Sequence, residues 1–226
     1  MQKSSLSTLE TPIEMRSSLY PYVKRVFDVV FSLSFIIIFS PLYLLIALLI
    51  KCDSPGPIFY VTTRLGKGGK HITVMIFRTM YVDAEERLME LLKQYSNLKR
   101  EWDIFQKLKE DPRCTKIGKF LRRTSLDELP QFFNVLKGDL SVVGPRPHFI
   151  FELEKKKESP LQPHAHKILS IKPGITCIWQ TSGRSHLSYE DRVKLDCLYA
   201  EKYSFALDLY LIIKTIPSLL FSKGAF

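Results

Sequence analysis

Residues 24–51 read KRVFDVVFSLSFIIIFSPLYLLIALLIK, and the way this stretch folds decides the architecture of the chain. Between its basic ends only Asp28, a few serines and the pair Ser40-Pro41 interrupt an apolar run. As one straight helix the apolar part would reach about 37 Å at about 1.5 Å per residue, against a hydrocarbon core of about 30 Å. It lacks the short apolar core and small-residue cleavage site of a secretory signal, so it is expected to stay in the mature chain. Pro41 removes a backbone donor and collides with the preceding turn, which predicts a kink near the middle of the run. Each half is then too short to span alone. Lys24 and Arg25 before the run, and Lys51, Arg64, Lys67 and Lys70 after it, both favour the cytoplasmic face. A kinked transmembrane anchor fits these facts. A helical hairpin that enters and leaves on one side, with Ser40 helping to satisfy the freed carbonyls, fits them equally well.

Upstream, residues 1–23 form a polar tail, rich in Ser and Thr as far as Tyr20-Pro21. Downstream, residues 52–226 have the length of one well-buried domain. Residues 58–64 and 71–78 are rich in β-branched and aromatic side chains and flank Gly66-Lys67-Gly68-Gly69-Lys70, a β-hairpin pattern. The glycine-rich turn lacks the spacing of a phosphate-binding loop and reads as a simple turn. Over residues 83–109 Leu88, Leu91, Leu92 and Tyr95, then Leu98, Trp102, Phe105 and Leu108, recur at the helical period with a break near Ser96-Asn97. Such stripes are expected to pack into a core, with a bilayer surface as the alternative. A helix opened by the capping pair Ser188 and Asp191 follows, then an apolar segment over 205–221. Asp208, Lys214 and Pro217 make that segment a poor spanning helix, so it should pack on the domain or lie at the interface.

Lys and Arg outnumber Asp and Glu, 33 against 23, and the net charge of +10 favours an anionic partner. The cysteines Cys52, Cys114, Cys177 and Cys197 lie far apart without CxxC spacing, which argues against a zinc site or a disulfide framework and suits a reduced environment. His164 and His166 have no acidic partner at ligand spacing.

The densest reactive cluster is Arg122-Arg123-Thr124-Ser125-Leu126-Asp127-Glu128-Leu129-Pro130-Gln131. Adjacent carboxylates beside arginines can hold Mg²⁺ and nucleotide phosphates together, and a carboxylate can attack phosphorus directly. Ser125 and Glu128 also stand at the spacing of a helix capping box, which offers a purely structural reading, although Pro130 would delete a backbone bond inside such a helix. In Val143-Gly144-Pro145-Arg146-Pro147 two prolines present one arginine with little freedom. A third segment, Lys172-Pro173-Gly174-Ile175-Thr176 with Trp179-Gln180-Thr181-Ser182-Gly183-Arg184-Ser185, suits a sugar nucleotide but is unspecific as a pattern.

The order of these segments carries more than any one of them. Together with Lys24-Arg25-Val26-Phe27-Asp28, Ser54-Pro55-Gly56-Pro57-Ile58-Phe59, Phe77-Arg78-Thr79-Met80 and Asp111-Pro112-Arg113, they resemble the bacterial sugar transferase family, the monotopic phosphoglycosyl transferases, from Lys24 to Thr215. The resemblance implies an α+β chain in which a re-entrant membrane helix, broken at Ser40-Pro41 within residues 24–51, precedes a small cytosolic domain with a β-hairpin and several amphipathic helices. It also implies a Mg²⁺-dependent reaction at the cytoplasmic face of the bacterial inner membrane. Asp127 matches the nucleophile that attacks the β-phosphate of a UDP-sugar and releases UMP, and polyprenyl phosphate, usually undecaprenyl phosphate, then takes the phosphosugar. Glu128 matches the second carboxylate, close to metal and phosphates. Arg78, Arg122 and Arg146 match phosphate- or nucleotide-binding arginines, and Arg184 and Asp208 fall on similar positions.

The chain departs from the pattern at Ile76, where a lysine is common, and at Cys177-Ile178, where Gly-Leu is usual. Its long segment over 81–109 and the Trp179-Gln180 to Arg184 sequence resemble members that transfer hexose 1-phosphate, which points to UDP-galactose or UDP-glucose as the donor. Competing readings are an acetamido-sugar transferase, a nucleotide-sugar hydrolase, and a basic membrane adaptor that binds anionic phospholipid without catalysis. No nucleic-acid module accompanies the charge, and a homo-oligomer is compatible with the sequence.

Overall fold

The computed structural model describes residues 19–105, 108, 111–154, 159–182 and 187–220. A 62° bend divides the apolar run into α1 (Tyr20–Ile38) and α2 (Ser40–Asp53). The break falls where the sequence places it. Phe39 leaves helical geometry, Pro41 occupies the first turn of α2 where its missing donor costs nothing, and Ser40 Oγ donates to Ile37 O at 2.9 Å. No single helix among the described residues is long and apolar enough to cross a membrane, whereas the bent pair passes that test together.

Strands β1 (Phe59–Leu65) and β2 (His71–Phe77) form the expected antiparallel hairpin, with Leu65 opposite His71 and Phe59 opposite Phe77. The helical region is a pair, α3 (Ala84–Gln94) and α4 (Ser96–Phe105), broken at Tyr95. Its apolar stripe meets the core expectation only at its far end, where Leu108 is buried and Arg113 covers the Trp102 ring; no residue of α3 is buried, and Leu88, Leu91 and Leu92 are only half-buried. The pair packs on itself and leaves much of that stripe open.

Helices α5 (Lys116–Thr124) and α6 (Gln131–Lys137) follow, then β3 (Ser141–Val143), α7 (Ile150–Glu154), α8 (Ala165–Ile168) and β4 (Gly174–Thr176). Strand β3 pairs in parallel with β4, with Ser141 opposite Gly174 and Val143 opposite Thr176. The two segments approach so closely that a Cβ on Gly174 would lie 2.0 Å from Gly144 N. Helix α9 (Tyr189–Lys202) opens on Ser188, whose hydroxyl accepts from Asp191 N as its spacing suggests, and α10 (Phe205–Leu220) ends the described chain. All four cysteines are free.

One core cluster gathers Val74, Phe132, Val135, Leu140, Val143, Tyr199 and Leu211, with Phe31 and Phe35 of α1 against it. Phe35 stacks on Phe132 at 4.2 Å. A second cluster joins Tyr43, Ile46 and Ile50 of α2 to Phe77 and Leu121. The bent pair therefore lends one face to the domain, and the other face exposes Val26, Val30, Ile37, Ile38, Leu44 and Leu48. Helix α10 does the same, burying Asp208 and Leu211 while exposing Tyr210, Ile213 and Ile216.

Candidate active site

Helix α5 is seated by a close approach. Thr115 caps it by accepting from Gly118 N, and a Cβ on Gly118 would lie 1.9 Å from Thr79 O, so only glycine lets the helix rest on the end of the hairpin. That seat brings Arg122 to Thr79, where Arg122 Nε donates to Thr79 Oγ1 at 2.9 Å. The chain then turns sharply. Ser125 takes a left-handed conformation, φ 56°, the only non-glycine positive φ among the described residues, and such strain persists where surrounding structure enforces it. A single 3-10 turn, Leu126–Glu128, carries the two carboxylates. Pro130 then caps α6 instead of interrupting a helix.

This geometry removes the capping-box reading. Ser125 closes α5 and makes no side-chain cap bond to the turn after it, so the S-x-x-E spacing does no capping here. The Asp127 carboxyl is instead pushed up to about 7, first by burial and then by the neighbouring Glu128 charge, with Arg122 pulling the other way. Tyr43 of α2 donates to Leu129 O at 2.7 Å, which ties the turn directly to the bent helix pair.

A group of guanidinium ions gathers around the Phe149 and Trp179 rings. Arg146 is exposed between its prolines and lies 5.4 Å from the Trp179 ring, and Arg192 covers the same ring at 4.9 Å. Arg64, at the end of β1, lies against the Phe149 ring, and its buried Nη1 has no hydrogen-bond partner among the described residues. Burial and then Arg146 lower Arg64 to about 10, while Glu152, Tyr60 and Glu128 oppose the shift. Arg64 therefore senses both Arg146 and Glu128 and joins the two motifs. Sequence reading counted Arg64 only as a flanking charge. Its signal was weak, a lone arginine before a glycine turn.

The Arg146 loop is braced from behind. His148, 3% exposed, places Nδ1 at 2.9 Å from Glu152 Oε2 and Nε2 at 3.4 Å from Asp196 Oδ2, the latter an ion pair without a well-formed hydrogen bond. Burial alone would lower the imidazole pKa, but Asp196 and Glu152 outweigh it and raise it. His148 O also accepts from Leu65 N at 2.8 Å, so the same residue links the loop to the Arg64 strand.

Two residues matched to ligand binding sit elsewhere. Arg78 is buried, with Nη1 and Nη2 donating to the carbonyls of Pro55 and Ser54, so its fork is spent on the turn that follows α2. Asp208 is fully buried and accepts from Tyr199 Oη at 2.6 Å and Tyr20 Oη at 3.0 Å, beside Lys24 Nζ at 2.8 Å. It anchors the start of α1 to α9 and α10. Arg184 lies outside the described residues. For Mg²⁺, no group of three or more His, Cys, Asp or Glu converges among the described residues. The two carboxylates of one turn still fit this ion, which takes oxygen ligands and commonly completes its shell with water and substrate phosphates.

Two carboxylates and several guanidinium ions beside an apolar bent helix pair define a class: a protein that handles phosphorylated groups next to an apolar surface. The chain belongs to the bacterial sugar transferase family, whose model matches residues 19–222. It is 44% identical over 90% of its length to an uncharacterized sugar transferase of Haemophilus influenzae, covering 42% of that protein. It is 40% identical over 90% of its length to the exopolysaccharide production protein ExoY of Rhizobium meliloti, covering 88% of it. The undecaprenyl-phosphate galactose phosphotransferase of Salmonella typhimurium is 40% identical over 98% of this chain, which covers 45% of that relative. The chain thus spans under half of two of these relatives and most of the third.

Proposed function

We propose that this protein transfers a hexose 1-phosphate, galactose or glucose, from a UDP-sugar to undecaprenyl phosphate at the cytoplasmic face of a bacterial membrane, opening the synthesis of a surface polysaccharide. The observation that carries the reading is the Asp127-Glu128 turn, in which the Asp127 carboxyl is pushed up by burial and by Glu128, with Arg122 acting on Asp127 and Arg64 within electrostatic reach of Glu128. In the first step an Asp127 oxygen attacks the β-phosphorus of the UDP-sugar, the bond to the bridging oxygen breaks, and UMP leaves. In the second an oxygen of undecaprenyl phosphate attacks the same phosphorus and frees Asp127. The acceptor is already anionic, so no base need take a proton from it. Asp127 and Glu128 would hold Mg²⁺, which neutralises phosphate charge when bound. Arg64, Arg122 and Arg146 position the diphosphate, the chief requirement of phosphoryl transfer.

The bent pair is read as re-entrant because both of its ends are tied to the same domain. Arg25 donates to the carbonyls of Val135 and Leu136 at one end, and at the other Asp53 accepts from Ile117 N. A pair so tethered enters and leaves on one side, with its exposed apolar face in lipid.

The test is UMP release from UDP-galactose and UDP-glucose by detergent-solubilised protein with Mg²⁺, with and without undecaprenyl phosphate. Release that depends on the lipid and vanishes in Asp127→Asn is expected. Lipid-independent release would make the protein a hydrolase, and release retained by Asp127→Asn would remove the nucleophile.

A further inference from the structure

Three basic motifs that this chemistry leaves unused meet in one place. Arg25 beside Lys24 at the foot of α1, Lys67 in the glycine-rich hairpin turn and Lys172 ahead of β4 line one cavity of about 150 Å³. That is far more than the space one water needs. Its acidic lining among the described residues is Asp28, and Asp28 is already committed: it accepts from Ser141 Oγ and Val142 N, both at 3.1 Å, and lies 3.3 Å from Lys24 Nζ. Lys24 is balanced by Asp28 and Asp208. Arg25, Lys67 and Lys172 form no ion pair among the described residues, although the charges of Asp28 and Asp139 act on Lys172 at longer range. Arg25 donates to two main-chain carbonyls, which orient its guanidinium without cancelling the charge.

The cations crowd one another. Arg25 Nη2 and Lys172 Nζ both lie 3.6 Å from the point a Cβ on Gly138 would occupy. Burial, then Arg25, lower the Lys172 ammonium and Lys67 adds to this, while Asp28 and Asp139 oppose the shift without cancelling it. Like charges held around an open cavity, Arg25 and Lys172 half-buried and Lys67 exposed, are stabilised when an anion enters it. Ser141 and Tyr199 are among its walls. None of the groups that shift Asp127 lines it, so it is separate from the catalytic turn. It opens at the foot of the helix whose Tyr22, Val23 and Val26 are exposed.

We propose that this cavity is a second phosphate-group site, bound by Arg25, Lys67 and Lys172, whose ligand is the headgroup of an anionic phospholipid or free phosphate. The site stands whether or not the chain is a transferase. Full-length protein in a neutral detergent is titrated with inorganic phosphate in one arm and with short-chain phosphatidylglycerol in the other, following the unfolding temperature. Arg146→Ala serves as the background, to exclude binding among the active-site arginines. A saturable rise in that background is expected, with at least a fivefold weaker apparent affinity once Lys67→Gln and Lys172→Gln are added. A response to phosphate assigns the free anion, and a response to phosphatidylglycerol alone assigns the lipid. Because removing either lysine relieves repulsion, the lysine variants should be at least as stable as their background without ligand, which keeps a misfolded variant from mimicking the result. An unchanged affinity in the lysine variants, or no response of the Arg146→Ala protein to either probe, overturns the proposal.

Discussion

Two pairs of acids in this molecule are treated in opposite ways. Asp28 and Asp208 are more deeply buried, yet each is surrounded by donors: Lys24 lies between them, Tyr20 and Tyr199 serve Asp208, and Ser141 and Val142 serve Asp28. Asp127 is only half-buried, and its surroundings push its carboxyl up instead of settling it. Burial alone does not separate structure from function. What separates them is whether the fold supplies partners, because an unsettled carboxylate stores free energy that a metal, a phosphate or a bond to phosphorus can release.

The largest effect expected from this contrast is at Asp127. Asp127→Asn should lower UMP release by about 10⁴-fold, about 5.5 kcal/mol, and should not harm folding. The sign of its stability effect follows from a folded pKa of about 7 above the ordinary 3.8. Below about pH 4 both states carry the proton and the aspartate costs nothing. As pH rises the folded state must give up a proton it holds more tightly, and the full cost is present above about pH 7. Asn should therefore stabilise the protein at pH 8 by about 1–2 kcal/mol, after discounting for partial exposure, and not at pH 4. Equal thermal unfolding of the two proteins at both pH values would show that Asp127 is as well settled as Asp208.

At Asp208 the expectation reverses. Asp208→Ala leaves Lys24 and two tyrosine hydroxyls facing a void and should destabilise by about 3–5 kcal/mol. The molecules that remain folded should keep their KM for the UDP-sugar. A raised KM with unchanged unfolding would return Asp208 to substrate binding.

Arg64 sharpens the contrast from the cationic side. Its unpartnered Nη1 makes it the counterpart of Asp127, whereas Arg78 and Arg113 are engaged, Arg113 by a bidentate pair with Asp111. Arg64→Ala should reduce kcat/KM by about 10²-fold, about 2.7 kcal/mol, and Arg64→Lys should recover part of it. If both variants keep full activity, Arg64 serves only to pack on Phe149.

The hairpin, the break at Ser40-Pro41 and the capped start of α9 were legible in the sequence because each rests on short-range chemistry: a glycine turn, a proline, a serine three residues before an acid. The carboxylate turn was legible in composition but not in geometry. The capping box fails because Ser125 is used to end α5 in the left-handed region and makes no side-chain cap bond to the turn after it, and where α5 ends follows from its seat on Thr79 through Gly118 and not from the S-x-x-E spacing. Arg78 and Asp208 match binding positions by motif, and only the packing reveals that both Nη atoms of Arg78 donate to Pro55 and Ser54 and that Asp208 accepts from Tyr20 and Tyr199. The α3 stripe has the right period for a core, and among the described residues its main packing partner is α4, which leaves it half-buried.

The smallest effect tests how the unsettled turn is held still. Tyr43 reaches from α2 to Leu129 O, two residues beyond Asp127, and its ring lies 5.8 Å from both Phe77 and Phe133. Tyr43→Phe keeps the ring contacts and removes one hydrogen bond, worth about 1 kcal/mol. If the bond serves only stability, the unfolding temperature falls by a few degrees and turnover per folded molecule is unchanged. If it fixes the carboxylates relative to a bilayer-bound acceptor, kcat with undecaprenyl phosphate should fall several-fold while KM for the UDP-sugar holds. We expect the second outcome, because in the proposed reaction Arg64 and Arg146 would position the donor, on strands and loops that α2 does not touch through this bond, whereas the acceptor would arrive along the exposed apolar face of α2.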